Sequence, residues 1–288
     1  MFQKLIGVLF LFLFSNLLVM AQKNPAYQLF NAKGKRVKYK KMVKQVGKAD
    51  IILFGELHND PIAHWLQFEL AEDLKKNKPL ILGLEMLERD NQLAITQYVT
   101  DEIDRKQLEE RARLWPNFPT DYEPLVNWAK ENYTRVIATN IPRRYASMVF
   151  KEGFEALESL PEKEKNWIVP LPVAFDIELP GYKNMLTMMG GDEHSGLNFP
   201  KAQAIKDATM AHSILEYYQV DHYFLHLNGS YHSDNYEGIL WYLQRQNPDL
   251  AYATLTTVTQ KDIGQLEAEN KGKADFIICV PENMTKTY

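Results

Sequence analysis

Short apolar runs recur along the chain, each closed by small or polar residues: Asp50 to Phe54 ending at Gly55, Leu80 to Leu84, Arg135 to Thr139, Tyr223 to Leu227, Tyr252 to Leu255 and Phe276 to Val280. Each is apolar on both faces, the pattern of strands covered on both sides in a parallel sheet. Helical periods lie between them. After Asp60-Pro61, which supplies a cap and a first-turn proline, Ile62, Leu66, Leu70 and Leu74 recur every fourth residue with Trp65 beside them. This spacing predicts a helix with a buried stripe and with His64 on its solvated face. Further helices are predicted over Arg89 to Val99, Ile103 to Leu114, Tyr122 to Glu131, Tyr145 to Leu160 and Ala202 to Tyr218. The alternation gives an α/β fold with three α/β/α layers and a mostly parallel sheet. Residues 22–288 suit one such domain, and no internal repeat interrupts them.

The connection from Pro161 to Pro200 stands apart, with five prolines and four glycines. A connection of this length inside a compact domain predicts a lid or binding loop. It carries Tyr182, Met185, Leu186, Met188 and Met189, then Gly190-Gly191-Asp192-Glu193-His194. Its methionines read either as packing or as cover for a flat apolar ligand, with Tyr182 or His194 offering an atom to a metal. At the other extreme, Lys4 precedes the apolar run Leu5 to Phe14, and Leu17 to Ala21 leads into the polar Gln22-Lys23-Asn24. These are the three parts of a secretory signal peptide over 1–21, so export to a periplasmic or secreted destination is expected. No cysteine stands near the cleavage point, which removes the expectation of a lipid attachment.

Composition narrows the chemistry. The formal charge is −4, from 33 Lys plus Arg against 37 Asp plus Glu, so no overall basic excess points to nucleic acid. The single cysteine, Cys279, rules out an internal disulfide and a cysteine-cluster metal site, and reads as a buried strand thiol.

Ligands of open α/β sheets bind outside the carboxyl ends of the strands, and the residues found there are polar and titratable. The first predicted strand is followed by Gly55-Glu56-Leu57-His58, the second ends at Glu85, the third at Asn140 with Arg143 behind it, and the fourth at Asn228-Gly229 before His232. Residues from distant parts of the chain are thus predicted to converge on one edge. A carboxylate ending an apolar strand needs a partner when buried, so Glu85 reads either as the structural partner of Arg143 or His232 or as part of the site. His226, inside a strand, reads as a hydrogen-bonded core histidine, and His212 and His222 as solvated.

Gly55-Glu56-Leu57-His58, Leu84-Glu85-Met86, Asn140-Ile141-Pro142-Arg143, Ala202-Gln203 with Asp207, Met210 and Ala211, and the loop from Gly229 to His232 together resemble the ChaN-like haem-binding uptake proteins of the Tiki, TraB and erythromycin-esterase superfamily. In order and spacing they cover roughly residues 49–240. The resemblance implies an exported protein of haem and iron uptake, holding haem under the lid. As partners it implies a second copy of the chain, with two haems stacked at the interface, and an outer-membrane haem receptor. It assigns Glu56, Glu85, Asn140, Asp207, Asn228 and His232 to the pocket, and Tyr182, His194, Arg143 and His58 to haem.

Resemblance to other members of that superfamily implies a second reading, a metal-dependent protease or esterase. His58, Glu85 and His232 would then hold a divalent metal, or His58 would activate water directly, with Glu56 as a proton acceptor or orienting group.

Overall fold

The computed structural model describes residues 25–188 and 196–288. The expected export signal over 1–21 and the lid residues Met189, Gly190, Gly191, Asp192, Glu193 and His194 lie outside the described residues. The described strands are β1 (Gln28–Asn31), β2 (Ile51–Glu56), β3 (Leu80–Glu88), β4 (Arg135–Asn140), β5 (Tyr223–Gly229), β6 (Tyr252–Gln260) and β7 (Phe276–Pro281). They form one sheet in the order β1-β7-β6-β2-β5-β3-β4. Every neighbouring pair is parallel except β1 with β7. The six predicted strands are all present. The edge strand β1, four residues long, escaped the sequence reading.

Alternate strand residues feed two separate cores, which is why both faces of the strands are apolar. Ile52, Phe54, Leu82, Leu84, Leu225 and Leu227 point into the larger core. It is covered by α1 (Tyr39–Val46), α2 (Pro61–Lys75), α3 (Gln92–Val99), α4 (Arg105–Arg111) and α5 (Glu123–Glu131). Ile51, Leu53, Ile81, Ile137 and Phe224 point the other way. They pack under α6 (Arg143–Glu152), α9 (Asn198–Tyr217) and α10 (Ile239–Gln246). Two further helices, α7 (Glu162–Lys165) and α8 (Pro180–Met188), lie in the Pro/Gly-rich connection. Those layers are the predicted α/β/α arrangement, and Cys279 is buried in β7.

Several boundaries differ from expectation. The helix predicted over Tyr145 to Leu160 begins at Arg143 and stops at Glu152, where Gly153 takes a φ of +84° and a 3-10 segment Phe154–Ser159 follows. Positive φ is the conformation only glycine adopts freely. Strand β3 runs on to Glu88 instead of ending at Glu85, whose carboxylate finds charged and backbone partners inside the fold. The stripe of α2 is buried at Leu66, Leu70 and Leu74, but Trp65 is half-exposed, meeting Tyr27 edge to face. His64, expected in solvent, is buried, because a π-helical turn, Phe118–Tyr122, packs over its side of α2.

Asp60 starts α2 as expected: its fully buried carboxylate accepts from the backbone N–H groups of Ile62 and Ala63 at 3.1 and 3.0 Å, and from Lys286 at 2.8 Å. Since β2 and α2 flank the loop carrying His58, this cap fixes that loop. Asp60→Ala is expected to lower stability by about 1–2 kcal/mol, and Asp60→Asn, which keeps the cap, by under half as much. Urea unfolding of the two variants checks this.

Candidate functional site

Strands β2, β5 and β3 lie side by side, so their carboxyl ends meet. Register places Glu56 of β2 beside Gly229 of β5. Glu56 is buried, and three donors surround its carboxylate: His58 Nδ1 at 2.9 Å, the Tyr122 hydroxyl at 2.6 Å and the side-chain amide of Gln67. The second ring nitrogen of His58 is directed to the crevice, over Gly229, and the imidazole is one-third exposed. Trp115 meets the ring edge to face at 4.8 Å. Burial lowers the His58 pKa, but the hydrogen bond to Glu56 and the charges of Glu85 and Glu56 outweigh it, so the net shift is upward. The result is an imidazole oriented by a carboxylate, with one nitrogen open.

Its neighbour is a buried ion triad. Glu85 accepts from the Gly229 backbone N–H at 2.7 Å and faces His232 Nε2 at 3.3 Å. His232 Nδ1 contacts Asp207 of α9 at 2.6 Å. With carboxylates on both nitrogens, His232 is an imidazolium. Burial opposes the charge, yet Glu85 and Asp207 raise its pKa to about 10. Glu85 is correspondingly held well below the ordinary carboxylate range: burial pushes it up, and the attraction of His232 prevails. Of the two partners open to Glu85 from the sequence, the structure selects His232. Arg143, at the first turn of α6, is exposed and enters no ion pair among the described residues.

Tyr182 extends the triad into the lid. Its hydroxyl donates to the second oxygen of Asp207 at 2.6 Å, its ring stacks on Phe175 at 5.8 Å, and it is buried. Burial, then the charge of Asp207, raise its pKa well above the usual phenol value. Tyr182 is therefore a neutral link between α8 and the strand edge, rather than an atom held open to the crevice. Glu237 and Tyr231 hold the same helix start, through Gly181 N–H and Gly181 C=O, each at 2.6 Å.

The other predicted residues divide. His226 is a core histidine as expected. Its Nδ1 meets Asn228 at 3.1 Å, its Nε2 meets the Thr139 hydroxyl at 2.8 Å, and burial depresses its pKa to about 4. Asn228 is occupied within the fold, donating to Ser233 and to the Gly229 carbonyl. Asn140 is buried, and its Oδ1 has no hydrogen-bond donor among the described residues. The sequence reading missed Gln67, Asn117, Asp121 and Tyr122. Asn117 donates to the His58 carbonyl at 3.0 Å and to Asp121 at 2.6 Å, and His64 Nε2 meets the same carbonyl at 3.2 Å. Gln67, three residues after His64 on one helix, had a readable spacing; the turn at 118–122 gave none.

The proposed metal trio is not assembled. Both ring nitrogens of His232 are taken by carboxylates, and among the described residues no three His, Cys, Asp or Glu side chains are grouped to hold a metal ion.

A mostly parallel, doubly covered sheet with carboxylate-oriented histidines at its carboxyl edge places the chain among the open-sheet α/β proteins, the class whose ligands bind at that edge. Residues 42–243 match the family described as "Haem-binding uptake, Tiki superfamily, ChaN", and the chain belongs to that family. Among solved structures it is similar to ChaN of Campylobacter jejuni, a protein with cofacial haem binding. The TM-score is 0.67 at 19% identity, covering 89% of this chain and 98% of that one. A second neighbour is the erythromycin esterase EreC in its H289N form, with TM-score 0.51 and 9% identity over 92% of this chain and 99% of that one. At those identities both likenesses concern the fold. Among curated proteins, RETICULATA-RELATED 5, chloroplastic, of Arabidopsis thaliana is 27% identical over 139 residues, 46% of this chain; the match spans only 18% of that longer protein.

Two outcomes follow from the geometry. A Cβ at Gly229 would stand 2.8 Å from His58 Nε2 and 3.7 Å from Glu85. Gly229→Ala should therefore displace the imidazole and cost about 1–3 kcal/mol, measurable by thermal melting. The raised pKa of His232 means that the folded state holds a proton the unfolded chain releases near pH 6.5. Its stabilisation is complete below that pH and is lost as pH rises toward about 10. Chemical unfolding should show a decline of up to about 1.4 kcal/mol per pH unit in that window, flattened in His232→Gln.

Proposed function

We propose that the protein binds haem at the carboxyl edge of the sheet, with His58 Nε2 as the iron ligand and Arg143 receiving a propionate. The observation that carries this is the open nitrogen of His58, backed by the buried Glu56. A ligating histidine whose other nitrogen donates to a carboxylate is fixed in orientation and made more basic. Other features fit the group. Arg143 is an exposed cation with no ion pair among the described residues, as a propionate site requires. β2 and β4 are separated by β5 and β3, so the two residues stand across three inter-strand spacings, about 14 Å, within reach of a porphyrin and its propionate arms. Trp115 and Tyr231 supply aromatic surface at the rim. Bound haem would supply an iron centre; the chain itself positions and neutralises it.

Tyr182 is the alternative ligand within the same reading, since Asp207 is placed to take its proton, but its hydroxyl must first leave that carboxylate. His194 remains a candidate by sequence position. We further read the protein as exported after removal of 1–21, acting in iron uptake with a second copy of itself or an outer-membrane haem receptor as partner. Haemin titration of the chain from Gln22 should give a saturable, shifted Soret band. His58→Ala is expected to weaken binding at least about tenfold and change the band, and Arg143→Ala to weaken it about fivefold with the band unchanged. Tyr182→Phe should leave the spectrum intact; if it, and not His58→Ala, removes the shifted band, the iron belongs to the phenolate.

The same dyad favours one second reading, metal-free hydrolysis. His58 Nε2 would take a proton from water as the water oxygen attacks an acyl carbon, then return it to the leaving group. Esterase and peptidase screens with wild type and Glu56→Gln separate this from haem capture: the hydrolase reading predicts turnover lost in the variant.

A further inference from the structure

Between Lys33 and Lys48 the chain carries seven lysines, Arg36 and no acidic residue. All eight cations are exposed. Since the whole chain has a net charge of −4, everything outside this stretch sums to −12. Charge in this protein is segregated rather than mixed.

The segregation has a structural basis. Helix α1 buries Met42 and Val46 and packs Tyr39 and Val43 against the larger core, which turns Lys40, Lys41 and Lys44 outward, with Lys38 at the cap. Lys33 and Lys35, in the turn after β1, line one open groove with Gln45 and Lys48, so the turn and the end of α1 form a single surface. None of the eight enters an ion pair among the described residues. Arg36 donates to the Gly264 carbonyl. Carboxylates of the neighbourhood are engaged elsewhere: Asp50 on the Ala251 N–H, Asp275 on the Thr254 N–H and Asp73 on Lys76. No large apolar side chain is exposed between 33 and 48.

We propose that this face docks the protein peripherally on an anionic phospholipid surface. Uncompensated lysines attract such a surface by charge alone, and without an exposed apolar side chain nothing inserts. Two observations favour lipid over duplex nucleic acid. Seven of the eight cations are lysines rather than the planar forks of arginine that suit nucleic-acid recognition. No exposed aromatic is interleaved with them. The face also lies at the amino ends of the strands, because α1 leads directly into β2. Docking there leaves the crevice at the opposite edge free.

The test is co-sedimentation of the chain from Gln22, which contains every described residue, with phosphatidylcholine vesicles containing about a third phosphatidylglycerol. Binding is expected at about 0.1 M salt and lost by about 0.5 M, as screening shortens. The quadruple variant Lys38→Glu, Lys40→Glu, Lys41→Glu, Lys44→Glu should bind on the order of 100-fold more weakly, with its circular dichroism and haemin titration unchanged. Absence of wild-type binding, equal binding to pure phosphatidylcholine, an unaffected variant, or retention by duplex DNA in place of the anionic vesicles would each overturn the proposal. The salt series on the wild type needs no variant, so a folding defect cannot mask the answer. Loss of haem binding alone would leave it standing.

Discussion

Glu85 is an ionised carboxylate within β3, buried among apolar strand residues, and the arrangement of the crevice follows from keeping it charged. An isolated buried carboxylate would take up a proton. Glu85 does not, because β5 delivers the Gly229 N–H and the loop beyond it delivers His232. His232 can carry its charge only because Asp207 of α9 holds the opposite nitrogen, and Asp207 in turn receives the hydroxyl of Tyr182. One carboxylate thus ties together two strands, a long helix and the first turn of the lid. Burial and the charge of His232 oppose a proton on His58, but the hydrogen bond that His58 donates to Glu56 and the charges of Glu85 and Glu56 prevail and raise its pKa. The open imidazole owes both its orientation and its basicity to groups that never touch a ligand.

Much of this was legible in the sequence. Short two-sidedly apolar runs and fourfold-spaced leucines gave six strands, the layer arrangement and the edge where Glu56, His58, Glu85 and His232 meet. The partner of Glu85 was not legible, since Arg143 and His232 both follow strands at that edge and only packing decides between them. Nor was the burial of His64, because the turn that covers it, 118–122, has no repeat to reveal it. The lid around Tyr182 read either as packing or as cover for a ligand, because methionines and glycines at that spacing suit both; only packing shows its hydroxyl on Asp207.

Charge shows the same limit in another form. A whole-chain balance of −4 conceals eight exposed cations in one stretch, since the compensating acids lie elsewhere in the chain. With the crevice at the carboxyl ends of the strands and the lysine face at their amino ends, the two edges of the sheet offer separate surfaces, one for a small ligand and one for an extended anionic partner. Tests of either can be made without disturbing the other, because the lysine helix precedes the amino end of β2 and the triad stands at the carboxyl ends of β3 and β5.

The central claim is that a haem iron sits over Gly229 on the open nitrogen of His58. Iron anomalous scattering from crystals of the haem-loaded protein tests it most directly. The account predicts an iron peak within bonding distance of His58 Nε2, with Glu56 still on Nδ1 and the Glu85–His232–Asp207 triad intact. An iron bound to the Tyr182 oxygen, or lying away from the carboxyl edge of the sheet, would contradict it.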